Sequence, residues 1–282
     1  MRPGYGTNSI GDVDPLDAVP TLCDLGYQSL ALTLDHHTLH PAAADLADRV
    51  VRWRTGLASA GMTCVIETGA RHLLDPRLKH EPTLVSASAA ARERRIDFTR
   101  GAIDIAAELG AGCVSLWSGT ARDAADLETI WSRLADALGP ILDHAALRGV
   151  VLGFEPEPGM VVDTLARYGE LLARTGSPEH LRLTVDMGHM ECMGERPAAD
   201  VLVPWLDRVV NVHVDDMLAC RHEHLPLGAG DVEFRDVAGV LAAGGYRGGL
   251  HVELPRQAHR WLDTARESAA FLARHLSSAE SA

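Results

Sequence analysis

The chain has 282 residues, 46% hydrophobic and 23% charged, a globular composition long enough for one large domain or two small ones. A formal net charge of −13 with a single lysine, Lys79, argues against a nucleic-acid partner, which calls for a basic face. The longest apolar runs, such as "GVVLGF" ending at Phe154, are too short to span a bilayer, and the opening "MRPGY" lacks the apolar run of a signal peptide, so a cytoplasmic protein with no membrane partner is expected.

In chain order, the first expected strand covers residues 4–8 and the following helix ends at Gly26. The second strand covers 29–34. The helix after it places Leu46, Val50, Trp53 and Leu57 at alternating four- and three-residue intervals, one helical face, and ends at Gly61. The third strand, 62–67, leads into an irregular stretch at 69–85 with His72, Asp75, Pro76, Lys79, His80 and Pro82, expected to form a lid or substrate wall. A helix closing at Gly110 precedes the fourth strand, 113–117; the fifth and sixth lie at 150–155 and 182–186. The seventh spans 209–214, a helix ends at Gly245, and the eighth spans 249–253. The tail 277–282 is expected to fray. Such alternation implies parallel strands with right-handed crossovers, and eight units favour a single (β/α)8 barrel over 1–276. No G-x-G-x-x-G follows the first strand, so the dinucleotide-binding alternative loses its main support. The five cysteines have no paired short spacings, and Cys64 and Cys113 are expected as small core residues. Schiff-base chemistry would have to use Lys79, which lies in a loop rather than on a strand.

Barrel chemistry sits at the C-terminal ends of the strands. Four consecutive strands deliver an acid or a histidine there: Glu155 in "GFEPEPG", Asp186 in "TVDMGH", His213 in "NVHVDD" and Glu253 in "HVELPR". Strand alternation sends Asn211 with His213, and His251 with Glu253, to the interior. A lone carboxylate at a strand end is most often a helix cap. Three converging carboxylates repel one another unless a cation lies between them, so a divalent ion held by Glu155, Asp186, His213 and Glu253 is expected. Oxygen-rich ligation suits manganese or magnesium, with cobalt, zinc or iron also compatible. His189 and Glu157, on the same rim, are candidate substrate contacts, and His251 is either a site residue or a satisfied core histidine.

These marks, with the "HLPLGAGDVEF" segment at 224–234, resemble the xylose-isomerase-like superfamily of barrels, which includes sugar isomerases, ketose 3-epimerases, inosose dehydratase and endonuclease IV. The resemblance implies that Glu155, Asp186, His213 and Glu253 bind the metal ion. It further implies that Glu155 and Glu253 remove and return a proton beside a metal-bound carbonyl through an enediolate, and that His189 contacts a substrate oxygen. The epimerases carry an arginine soon after the strand-seven histidine, for which Arg221 is the nearest candidate. His222 and His224 are candidates for substrate or a second metal, and Lys79, His80, Arg256 and His259 are placed near the pocket mouth. Endonuclease IV needs more metal-binding histidines and DNA-binding loops, and the acidic charge opposes that function.

The expected function is a metal-dependent isomerase or epimerase of a small sugar, ketose, cyclitol or other polyhydroxy carbonyl compound. A lyase on the same scaffold and a non-catalytic sugar-binding subunit are the alternatives, and all four filled metal positions oppose the latter. The "PLGAGD" glycines are read as a plain turn in preference to a phosphate cradle, and a homodimer or homotetramer is expected from the resemblance.

Overall fold

Short apolar strands, each followed by a helix or a long loop, build a closed ring in the computed structural model, which describes residues 1–276. The expectation for 277–282 lies outside the described residues. In chain order the elements are β1 (Arg2–Gly6), α1 (Pro15–Asp24), β2 (Ser29–Thr33), α2 (Leu46–Ala60), β3 (Thr63–Glu67), α3 (Ala89–Leu109), β4 (Val114–Leu116) and α4 (Leu127–Arg148). There follow β5 (Leu152–Phe154), α5 (Leu165–Thr175), β6 (Leu181–Asp186), α6 (Met187–Cys192), α7 (Ala198–Val201), β7 (Val209–Val214), β8 (Asp216–Leu218), β9 (Arg221–Leu225), α8 (Phe234–Ala243), β10 (Gly249–Val252) and α9 (Trp261–Leu276). The ring runs β1-β10-β7-β6-β5-β4-β3-β2, a closed eight-strand parallel barrel.

The elements stop where local chemistry says they should. Gly61, Gly110 and Gly149 take the left-handed conformation at the ends of α2, α3 and α4, and Gly26 and Gly245 have positive φ just past α1 and α8. Asp14, Ser88, Asp126 and Thr164 accept backbone N–H groups at helix starts. The first strand begins earlier than expected, because Arg2 and Pro3 pair with β10 while Thr7–Ser9 turn into a short 3-10 helix.

Alternation separates two environments. Outward residues such as Tyr5, Leu30, Leu32, Ile66, Val212 and Val252 are buried in the main core with helix residues such as Trp131 and Leu138, each large side chain contributing about 1.5–3 kcal/mol. A second, small cluster of Ala31, Val65 and Cys113 packs with Val151 and Val210. Cys64 and Cys113 are both buried, as small core residues should be. Farther along the same strands the buried side chains become polar: Thr33, Glu67, Ser115, Thr184, Asp186, Asn211, His213 and His251. The barrel is thus apolar around its outside, and polar groups accumulate toward the ends where the site lies.

Candidate metal centre and substrate pocket

The C-terminal mouth of the barrel opens into a cavity of about 540 Å³, and Glu67, Glu155, Glu157, His213 and Glu253 are among its lining residues. Glu155 follows β5, Asp186 ends β6, His213 lies in β7 and Glu253 follows β10; these four strands are neighbours in the ring. One ligand atom from each residue falls within 4.8 Å of the others. The focus is His213 Nδ1, which lies 2.9 Å from Glu155 Oε1, 3.0 Å from Glu253 Oε2 and 3.9 Å from Asp186 Oδ2.

That convergence has electrostatic consequences. Burial pushes Glu155 up to about 7 against the opposing pull of His213. Burial alone would also raise Glu253, but His213 outweighs it and holds that carboxyl well below the usual range. His213 is in turn held above its ordinary value by Glu155, Glu67 and Glu253, against the effect of burial. Asp186 Oδ1 accepts the backbone N–H of His189 at 2.8 Å and so caps α6, whereas its Oδ2 is buried without a hydrogen-bond partner. One imidazole proton cannot satisfy three carboxylates, and Asp186 Oδ2 has none. The donor set therefore fits a divalent cation, and three oxygen ligands with one imidazole suit a hard or borderline ion.

Around this centre lie His189, Glu157, His222 and His224. His189 is buried with both ring nitrogens unpartnered among the described residues; Nδ1 lies 3.6 Å from Glu155 and Nε2 3.9 Å from Glu157. Burial lowers His189 to about 4, which keeps the ring neutral. Burial, then Glu155, raises Glu157. Ring nitrogens of His189, His222 and His224 also approach within 4.8 Å of one another. Against a burial that would lower it, Asp215, in contact with Nδ1, raises His224 to about 10.

Alternation in β9 sorts the next set. His222 and His224 share one face and line the cavity, whereas Arg221 points the other way, is largely exposed and pairs with Glu223. Arg221 is therefore not in the pocket, contrary to its place among the expected substrate contacts. Lys79, His80 and Arg256 do line the cavity; Arg256 also bonds Glu223 at 2.6 Å. His259 lies outside the lining. His251 is a satisfied interior histidine, between Ser29 Oγ and Asn211 Oδ1 at 2.8 Å each. In the "PLGAGD" turn the Gly228 amide, with that of Val232 just after it, donates to the Asp216 carboxylate.

Two residues escaped the sequence reading. Asn8 Nδ2 donates to Glu253 Oε1 at 2.7 Å, and Glu67 Oε1 lies 2.9 Å from His213 Nε2. Glu67 closes an apolar strand as Glu155 does, so the strand-end criterion could have found it; Asn8 carried no such signal.

Residues 21–275 match the family described as xylose isomerase-like TIM barrel. The rhizopine catabolism protein MocC of Rhizobium meliloti is 32% identical over 149 residues, a match covering 46% of this chain and 45% of that protein. Among solved structures, an L-ribulose 3-epimerase superposes with a TM-score of 0.77 at 19% identity, covering 99% of this chain and 96% of that one. A 3-keto-D-glucoside 4-epimerase from E. coli gives 0.75 at 16% identity, covering 97% and 99%. Likeness at this level of identity shows a shared fold. With nine-tenths of its length inside the family match, the chain belongs to the xylose isomerase-like TIM barrel family.

Proposed function

We propose that this protein is a divalent-metal-dependent isomerase or epimerase of a small sugar, ketose, cyclitol or related hydroxy-carbonyl compound. The observation that carries the reading is the convergence of Glu155, Asp186, Glu253 and His213 Nδ1, of which Glu155, His213 and Glu253 line the cavity, with the buried Asp186 Oδ2 unpartnered. Solved relatives of the same fold whose names specify epimerisation of keto-sugars support it. Glu155, Asp186, His213 and Glu253 would hold the ion, manganese or magnesium by the oxygen-rich set, which when bound supplies Lewis acidity toward substrate oxygens.

The remaining chemistry belongs to the side chains. Glu253, oriented by Asn8, is the base that takes the carbon-bound proton. Glu155, the second carboxylate lining the cavity, returns a proton at the same or the adjacent carbon. Neutral His189, with His224, presents ring nitrogens to substrate oxygens, and Glu157 accepts from hydroxyls. Lys79 and Arg256 stand among the lining residues as further substrate contacts.

A lyase outcome is the second reading, favoured by His224, which lines the cavity with Nδ1 against Asp215 and is placed to pass a proton from that pair to a departing hydroxyl. The product separates the two outcomes. On a panel of ketoses, inososes and keto-sugars, Asp186→Asn and Glu253→Gln should each lower kcat by about 10²–10⁴-fold. Full activity in either variant contradicts the mechanism.

A further inference from the structure

The barrel floor holds a continuous buried polar chain that ends on His213. Ser29 Oγ–H donates to His251 Nε2, and His251 Nδ1–H donates to Asn211 Oδ1, both at 2.8 Å. With its oxygen committed there, Asn211 turns its amide nitrogen toward Glu67 Oε1, 3.1 Å away. His213 Nε2 faces both Asn211 Nδ2 at 3.1 Å and Glu67 Oε1 at 2.9 Å. Two N–H donors cannot bond each other, so Glu67 is the acceptor left for Nε2–H. The contact spans the barrel: β3 and β7 stand four places apart in the eight-strand ring. Room for the chain is built into the backbone, since a Cβ on Gly4 would collide with the His251 ring.

We propose that Glu67 is the positioning residue of the metal centre: by accepting Nε2–H it fixes the His213 tautomer and aims Nδ1 at Glu155, Asp186 and Glu253. The proposal rests on the metal reading above. An imidazole has two possible ligand nitrogens, and a carboxylate on one commits the other to the metal and raises its basicity. The alternative, a carboxylate that merely fills space, does not explain why Glu67, 9% exposed on the inner face, has its Oε1 between the imidazole and an amide that is oriented by His251 on the neighbouring strand.

The test is calorimetric titration of chelator-treated protein with Mn²⁺ alone, comparing wild type, Glu67→Ala and Glu67→Gln, together with thermal melts and the visible spectrum of the Co²⁺ forms. Glu67→Ala should weaken Mn²⁺ binding by about 10–100-fold and shift the Co²⁺ bands. Glu67→Gln keeps the size and an acceptor oxygen but loses the charge, and should fall between alanine and wild type even if the alanine variant folds poorly. A purely structural role would lower the melting temperature and leave the Co²⁺ bands of the bound protein unchanged. Variants that bind Mn²⁺ as wild type does, with unshifted Co²⁺ bands, overturn this proposal and leave the metal reading standing. Wild-type protein that takes up neither ion overturns the metal reading and this proposal with it.

Discussion

The two oxygens of Asp186 differ: Oδ1 closes the first turn of α6, and the buried Oδ2 is left free for the proposed ion. A cap and a ligand are therefore not alternatives at this strand end, which is why counting single carboxylates is a weak guide and their joint placement a strong one. Away from the site, half-buried Glu195 offers a separate check on the electrostatics. Burial raises its carboxyl to about 7, against the pull of the Leu165 N–H that Oε1 accepts. The folded state thus binds more protons than the unfolded one between the ordinary glutamate value and about 7, so stability declines as pH rises through that window. Glu195→Gln, which keeps the acceptor oxygen, should raise the melting temperature at pH 8 and leave it nearly unchanged at pH 4. An equal gain at both values would show that the carboxyl is not perturbed. Glu155, Asp186, His213 and Glu253 were legible as one rim group from the expected strand ends, with alternation turning their side chains inward. The partners that orient them were not read: Glu67 was within reach of the strand-end criterion, but its pairing with His213, like that of Asn8 with Glu253, arises only when the ring closes and leaves no spacing in the chain.

The β8–β9 hairpin is the element that furnishes the pocket wall. Its shape depends on Asp216, 1% exposed, whose carboxylate accepts the backbone N–H groups of Met217, Gly228 and Val232. Asp216→Ala would leave three amides without their acceptor and should cost about 2–4 kcal/mol of stability, read by urea unfolding. It should also displace His222 and His224 and so weaken substrate binding. A loss below about 0.5 kcal/mol, within the range of an ordinary surface change, would contradict this role. The sequence reading treated this segment as loop. The "RHEHL" alternation was available, but five residues with only one apolar member have no hydrophobic face to announce a strand. The same omission misplaced Arg221, because without the strand there was no reason to put it on the face opposite His222 and His224. The irregular stretch after β3 was read correctly as a pocket wall, since prolines and polar residues between two strong periodic segments leave a chain no regular structure to adopt; it supplies Gly69, Arg71, Lys79 and His80 to the cavity.

At the scale of the whole molecule, closure of the sheet converts a linear order into a site. β5, β6, β7 and β10 are consecutive in the ring, so four strand ends separated by up to about a hundred residues of chain come within ligand distance without any loop having to fold over them. The strand–helix alternation specified that ring strongly, because apolar strands buried on both faces are stable only in a parallel sheet covered by helices. Acidic groups concentrated at one end carry an electrostatic cost that a bound cation would offset, and this is the central claim. It is tested most directly by elemental analysis of the purified protein after equilibration with Mn²⁺ and removal of free ion. The account predicts about one tightly held divalent ion per chain, lost in Asp186→Asn. A wild-type protein that retains none, and takes up none when offered Mn²⁺, Mg²⁺, Co²⁺, Zn²⁺ or Fe²⁺, would contradict it.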